Sequence, residues 1–188
     1  MQLLERHGVV TREAVVAEGI PGGYAGVYAV LRALEESGKV RRGYFVDGLG
    51  AAQFALPGAV DRIRELRDAS GETSVHVLGA ADPAQPYGAA LAWPENAGRP
   101  ARVSGAYVVL ADGNAAAYLE RGARTLLTFP AGSEGSWVDA VASLVKDGRL
   151  RRIELTRIDG APVVESPFAE ALRTAGFVEG YRGLALRG

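Results

Sequence analysis

The chain has 188 residues, 48% of them hydrophobic and 23% charged, the composition of an ordinary folded protein with one large core or two small ones. Lysine and arginine number 21 against 22 aspartates and glutamates, so a net charge of -1 excludes a global positive field, and any contact with a polyanion must be local. The absence of cysteine excludes disulfides, thiolate metal sites and thiol nucleophiles.

In chain order, Met1 to Arg6 carries apolar Met1, Leu3 and Leu4 beside Glu5 and Arg6, a short helical stretch that Gly8 ends. Thr11 is placed to cap a helix running to Glu18, with Glu13 in the first turn, where the helix dipole favours an acid. After the turn at Pro21-Gly22-Gly23, residues Tyr24, Val27, Tyr28, Leu31 and Leu34 repeat at helical spacing up to Ser37-Gly38. An alternating strand from Val40, a glycine-rich tip at Asp47-Gly48-Leu49-Gly50 and a return strand through Phe54 follow. Pro57 opens a further helix to Asp68, with Ile63 and Leu66 expected inward. Two short helices, a longer one and a two-stranded wing spell a winged helix-turn-helix over residues 1–69, with the longer helix in the recognition position.

The stretch Ala69-Ser70-Gly71-Glu72-Thr73 is the most linker-like in the chain, and the pattern changes after it from helical to period two. Over residues 74–188 strands are expected at Val75 to Leu78, Arg102 to Val103, Tyr107 to Ala111, Ala115 to Glu120, Arg124 to Phe129, Arg151 to Ile158 and Leu184 to Arg187. The strongest hairpin signal is Asp112-Gly113. Helices are expected at Ser136 to Asp147 and Phe168 to Thr174. The expected class is α+β: a winged helix-turn-helix followed by a small β-barrel-like module with two helices.

Chemistry-bearing patterns are sparse. Gly38-Lys39 would need a glycine at position 33 to form a phosphate-binding loop, and alanine stands there. Gly48-Leu49-Gly50 lacks the third glycine of a dinucleotide fingerprint and lies between two strands. The two histidines, His7 and His76, are too far apart in sequence to suggest a metal site or a triad. Lys39, Arg41 and Arg42 at the wing base are candidate phosphate contacts, with a solvated strand face as the plain alternative. Outside its apolar stripe the presumed recognition helix offers Gly22, Gly23, Ala25, Gly26 and Ala29 with Arg32 as the lone cation. The Arg, Asn and Gln side chains that read base edges are missing, so sequence-specific recognition is not expected. In the second module the polar, proline-stiffened run from Ala81 to Pro94 could present Tyr87 and Trp93 to bases, or could be an irregular crossover closing one end of the module.

The runs Gly8-Val9-Val10-Thr11-Arg12-Glu13, Ile20 to Tyr24, Leu34 to Phe45 and Gly50 to Pro57 resemble the C-terminal region of Lhr-type (large helicase-related) bacterial DNA helicases. Ala81 to Pro94, Gly105 to Gly113, Tyr118 to Gly122 and Ser166 to Phe177 extend that resemblance to nearly the whole chain. It implies ATP-driven 3′-to-5′ translocation and DNA repair for a longer protein, with ATP and magnesium bound outside this chain and no cofactor within it. The implied partners are single-stranded or forked DNA, preceding winged-helix modules of the same protein and a second copy of it. A membrane is not among them, and the expected location is the cytoplasm.

An Asp-Pro segment followed by the hairpin Gly105 to Gly113 is, more remotely, similar to AlkZ-type winged-helix DNA glycosylases. That resemblance implies excision of a damaged or deaminated base as an alternative function, with Asp82 as the candidate catalytic carboxylate. Gln53-Phe54-Ala55 matches only half of that family's Gln-apolar-Gln or Gln-apolar-Asp motif, and its role is not carried over. A winged-helix transcriptional regulator is the third alternative, disfavoured by the poor recognition helix.

Overall fold

Thr11 shows how local chemistry sets the first module: its hydroxyl accepts a hydrogen bond from the Ala14 amide at 3.1 Å and starts the second helix where a free N–H needs a partner. The computed structural model describes residues 1–68 and 73–188. The expected linker residues 69–72 lie outside the described residues. The chain folds as two compact units, each with its own core.

In the first unit the order is α1 Gln2–His7, β1 Val9–Val10, α2 Arg12–Ala17, α3 Gly23–Glu36, β2 Arg41–Gly43, β3 Gln53–Ala55 and α4 Pro57–Asp68. Gly8, at φ 67°, ends α1 and returns its amide to Leu4. The strands form an antiparallel sheet in the order β1-β3-β2, with Phe54 opposite Val10 on one side and Arg42 on the other. Leu4, Val10, Val15, Leu31, Val40 and Phe54 make the core, and Tyr24, Val27, Tyr28 and Leu34 of α3 pack on it. This is the expected winged helix, with one additional two-residue strand, β1. The expectation for α4 fails in detail: Val60 is buried, whereas Ile63 and Leu66 are exposed. Every side chain from Asp61 to Arg67 is exposed, so helical spacing marked a face that this unit's core does not reach.

The second unit contains β4 Val75–Gly79, β5 Tyr107–Ala111, β6 Asn114–Leu119, β7 Thr125–Thr128, α5 Val138–Lys146, β8 Arg152–Leu155, β9 Arg157–Ile158, β10 Ala161–Pro162, α6 Ala169–Thr174, β11 Val178–Gly180 and β12 Gly183–Arg187. Asp112 and Gly113 turn the β5–β6 hairpin with φ of 48° and 79°, the positive values that a two-residue turn of this hand demands. Six strands form one sheet in the order β10-β9-β7-β6-β5-β4, antiparallel except for the β7–β9 pair, and three form a second in the order β11-β12-β8. The class is mixed α+β as expected, but the larger sheet is open at β10 and β4 and no closed barrel is found among the described residues. The core gathers Leu126, Ile153, Leu155 and Leu184 from the sheets with Trp137, Val141, Leu144 and Leu172 from α5, α6 and their approaches. Each such side chain contributes about 1.5–3 kcal/mol relative to exposure.

Two expectations are corrected here. Arg102 to Val103 is not a strand but part of the irregular connection from β4 to β5, where the Arg102 side chain bonds to loop carbonyls. The single strand expected from Arg151 to Ile158 is broken at Thr156, and its halves join different sheets. The break has a local cause: the Arg124 carbonyl accepts from the Thr156 amide at 2.8 Å, the Arg157 amide at 3.3 Å and the Thr156 hydroxyl at 3.1 Å, drawing the chain toward β7. Arg152 and Arg157 therefore lie on different strands, β8 and β9.

Candidate nucleic-acid interface

The wing is held from inside by one side chain. Gln53, 0% exposed, lies at the start of β3 beneath the loop that joins the wing strands. Its Oε1 accepts from the Phe45 and Val46 amides, both at 2.8 Å, and its Nε2 donates to the Val46 carbonyl at 2.9 Å and the Leu49 carbonyl at 3.4 Å. A primary amide suits the place because it offers acceptors and donors on one planar group. With both ends so engaged, Gln53 is a structural clasp of the wing and is not presented to solvent.

Around this clasp the candidate wing cations differ from one another. Arg42 forms an ion pair with Glu35 of α3 at 3.2 Å, so part of its field is spent inside the module. Lys39 and Arg41 are exposed, and neither forms an ion pair among the described residues. Tyr44 is 84% exposed on the same wing, a position that the alternation of the strand does not reveal.

The recognition helix confirms the poverty of its surface. Ala25, Gly26, Ala29, Val30 and Ala33 are exposed, and Arg32 is tied to Glu36 at 3.0 Å. Tyr24, whose phenol donates to the Ala52 carbonyl, is lifted above its ordinary range by burial first and then by the neighbouring Tyr28 and Glu13. The hydroxyl thus stays a donor that ties α3 to the wing.

The connection over residues 80–106 brings Tyr87 and Trp93 together, although not as a free stacking platform, and carries Asp82 on a separate turn. Tyr87 is buried and its ring stacks on Trp93 with centroids 5.9 Å apart. Trp93 also stacks on Phe129 at 5.9 Å and meets the edge of Tyr118 at 5.6 Å. The Tyr87 and Tyr118 hydroxyls donate to the carbonyls of Gly113 and Ala101, and the buried Gln85 amide bonds to the Ala80 and Tyr87 carbonyls. Arg102 closes the connection by donating to the carbonyls of Gln85 and Asp82. Asp82 is exposed at the turn, and its carboxylate accepts from the Ala84 amide at 2.8 Å.

Neither histidine gathers metal ligands: His7 lies 3.0 Å from Glu18, His76 lies 2.7 Å from the Ser74 hydroxyl, and no cluster able to hold a metal occurs among the described residues. No helix among the described residues is long and apolar enough to cross a membrane.

A cleft of 630 Å³ opens elsewhere in the second unit. Arg124, Glu154, Thr156 and Arg157 line it together with Tyr181 and Arg182, the two residues between Gly180 and Gly183 at the β11–β12 turn. Gly183 is required here, since a Cβ would run into the Leu155 carbonyl of β8. None of these residues belongs to a chemistry-bearing pattern in the sequence. The available signal was a tyrosine and an arginine at the tip of a glycine-flanked turn, where nothing in the fold needs an aromatic ring.

Comparison with known proteins agrees with this architecture. Residues 1–75 match the winged-helix domain of large helicase-related proteins. The whole chain is similar to an Lhr helicase/probable uracil glycosylase of Mycolicibacterium smegmatis, 44% identical over 200 residues that cover 98% of this chain and 13% of that protein. It is similar to an Lhr helicase/uracil glycosylase of Escherichia coli at 36% identity over 191 residues, covering 97% of this chain and 12% of that protein. The chain thus spans about an eighth of the length of these curated relatives. A winged helix with an internally clasped wing, an α+β module following it in sequence and this identity along both modules make the chain the counterpart of one segment of the large helicase-related (Lhr) proteins.

Proposed function

We propose that this chain is a non-motor accessory region of an Lhr-type 3′-to-5′ DNA helicase that serves DNA repair, making weak, sequence-independent contact with single-stranded or forked DNA and packing against neighbouring winged-helix modules of the same protein. The observation that carries the reading is the wing: Gln53 fixes its loop while Lys39 and Arg41 stay exposed beside it, next to a recognition helix without base-reading side chains. The small residues exposed on α3 allow close approach of another protein module, and self-association belongs to the same reading. Binding and hydrolysis of ATP with magnesium are assigned to the remainder of the protein, because Gly38-Lys39 lacks the loop glycine that would cradle phosphates.

The test is fluorescence anisotropy of the 188-residue chain with single-stranded, forked and duplex DNA over a salt series, beside Lys39→Ala/Arg41→Ala. The reading expects salt-dependent binding that the double variant weakens on every sequence alike. Binding that the double variant leaves unchanged removes the wing from the DNA path.

A second reading, excision of uracil, is favoured by both relatives, one a helicase/uracil glycosylase and the other a helicase/probable uracil glycosylase. On that reading Asp82 is the carboxylate to replace first. Asp82→Asn keeps an oxygen for the Ala84 amide and so preserves the turn. Loss of uracil release from a uracil-containing strand, at unchanged DNA affinity, supports the role; release at the parent rate assigns Asp82 to the turn alone.

A further inference from the structure

The cleft of the second unit has the makings of a binding site that the wing does not explain. Three arginines, Arg124, Arg157 and Arg182, face one carboxylate, Glu154, so two positive charges stand in excess. None of the three arginines forms an ion pair among the described residues, although carboxylates are as numerous as cations in the chain. Arg157 spends one N–H on the Gly160 carbonyl at 2.7 Å, which steadies it without neutralising it. Surface guanidiniums gathered around a single carboxylate repel one another, a cost that an anionic ligand removes.

Tyr181 supplies the second, independent observation. Its side chain is 95% exposed, with the Arg182 guanidinium 5.8 Å from the ring centre. The fold gains nothing from burying this ring, yet the two-residue turn holds it at the cleft, because Gly180 and Gly183 pair across the hairpin and Gly183 lies close against the Leu155 carbonyl. An exposed ring with a free face beside unpaired guanidiniums is the combination that holds an unstacked base and its flanking phosphates. The cleft volume falls within the ~300–1,000 Å³ of small-ligand pockets, room for a nucleotide and not for a duplex. Glu154 and the Thr156 hydroxyl add hydrogen-bonding groups for a base edge.

We propose that this cleft is a single-stranded nucleic-acid subsite, in which Tyr181 stacks on one base and Arg124, Arg157 and Arg182 hold the adjoining phosphates. The subsite is separate from the wing contact and stands or falls apart from it.

The 188-residue chain is titrated into a fluorescein-labelled oligothymidylate, an otherwise identical strand with abasic sugars, and a duplex. Tyr181→Ala is expected to weaken binding of the intact single strand by roughly 5- to 100-fold, the range of base stacking on an aromatic side chain, and to leave the abasic strand unchanged. Tyr181→Phe retains the ring and is expected to restore affinity. Arg124→Ala/Arg157→Ala is expected to weaken intact and abasic strands alike and to flatten the salt dependence by about one unit of slope, with Lys replacements recovering part of it. The exposure of Tyr181 leaves folding unaffected in that variant, which a circular dichroism melt checks. Absence of single-strand binding at low salt overturns the proposal, and so does a Tyr181→Ala loss that is equal on intact and abasic strands. Lys39→Ala/Arg41→Ala separates the two readings: unchanged single-strand affinity in that variant, with loss in the cleft variants, removes the wing contact and keeps the cleft.

Discussion

Gln53 illustrates how a single residue decides what a motif means. A buried glutamine before an apolar residue invites a catalytic reading, yet both ends of its amide are occupied by the wing backbone. Replacing it with leucine keeps the volume and removes four hydrogen bonds, leaving two amides and two carbonyls of the loop to find other partners. Net loss of about 2–4 kcal/mol is expected, read as a lower urea midpoint, together with faster proteolysis between Tyr44 and Ala52. Unchanged proteolysis of that loop would show that the clasp does not hold it. The same residue-scale logic divides the wing arginines: Arg42→Ala breaks a pair with Glu35 and acts partly on stability, whereas Arg41→Ala removes an unpaired charge.

At the scale of elements, the connection between β4 and β5 is tied down by the Tyr118 hydroxyl, held neutral. Burial pushes the Tyr118 phenol above its ordinary 10.0, and the Glu120 charge adds to the effect. A raised value in the folded state means that this stabilisation is complete below the unfolded value and is lost as pH rises through the folded one. Tyr118→Phe is therefore expected to cost about 1 kcal/mol at neutral pH, the value of its bond to the Ala101 carbonyl, and to lose stability less steeply than the parent above pH ~10. Urea unfolding between neutrality and pH ~11 measures both arms, and parallel pH profiles would sink the assignment. The sequence revealed some elements better than others for physical reasons. Asp112-Gly113, the Thr11 cap and the apolar faces of α3 and α5 were legible because a turn, a cap or a helical period is local chemistry. The strands β1 and β10 were not, because two residues carry no period. Tyr87 and Trp93 could be read as platform or core, and only the packing on Phe129 and Tyr118 decides between them. The cleft was illegible because its lining spans residues 124 to 182 and is assembled by the crossing from β8 to β9.

For the molecule as a whole, a net charge of -1 and two modules with exposed cations limit how a polyanion would be held. Beyond a Debye length of about 10 Å at ~0.1 M salt the opposed charges cancel, so there is no long-range steering and each contact acts only where a strand touches it. A strand seated on Arg124, Arg157 and Arg182 neutralises two or three phosphates, and single strands give a slope of roughly -0.7 per phosphate in log affinity against log salt. The Lys39→Ala/Arg41→Ala chain, left with the cleft, is therefore expected to bind single strands with a shallow slope of about -1.5 to -2, hardly dependent on sequence, and to bind a long duplex no better than a short one. Anisotropy titrations over a tenfold salt range measure the slope. A value steeper than about -4 would require most of the exposed cations to act as one continuous track, which Arg42 paired to Glu35, Arg32 paired to Glu36 and Arg173 paired to Glu179 argue against.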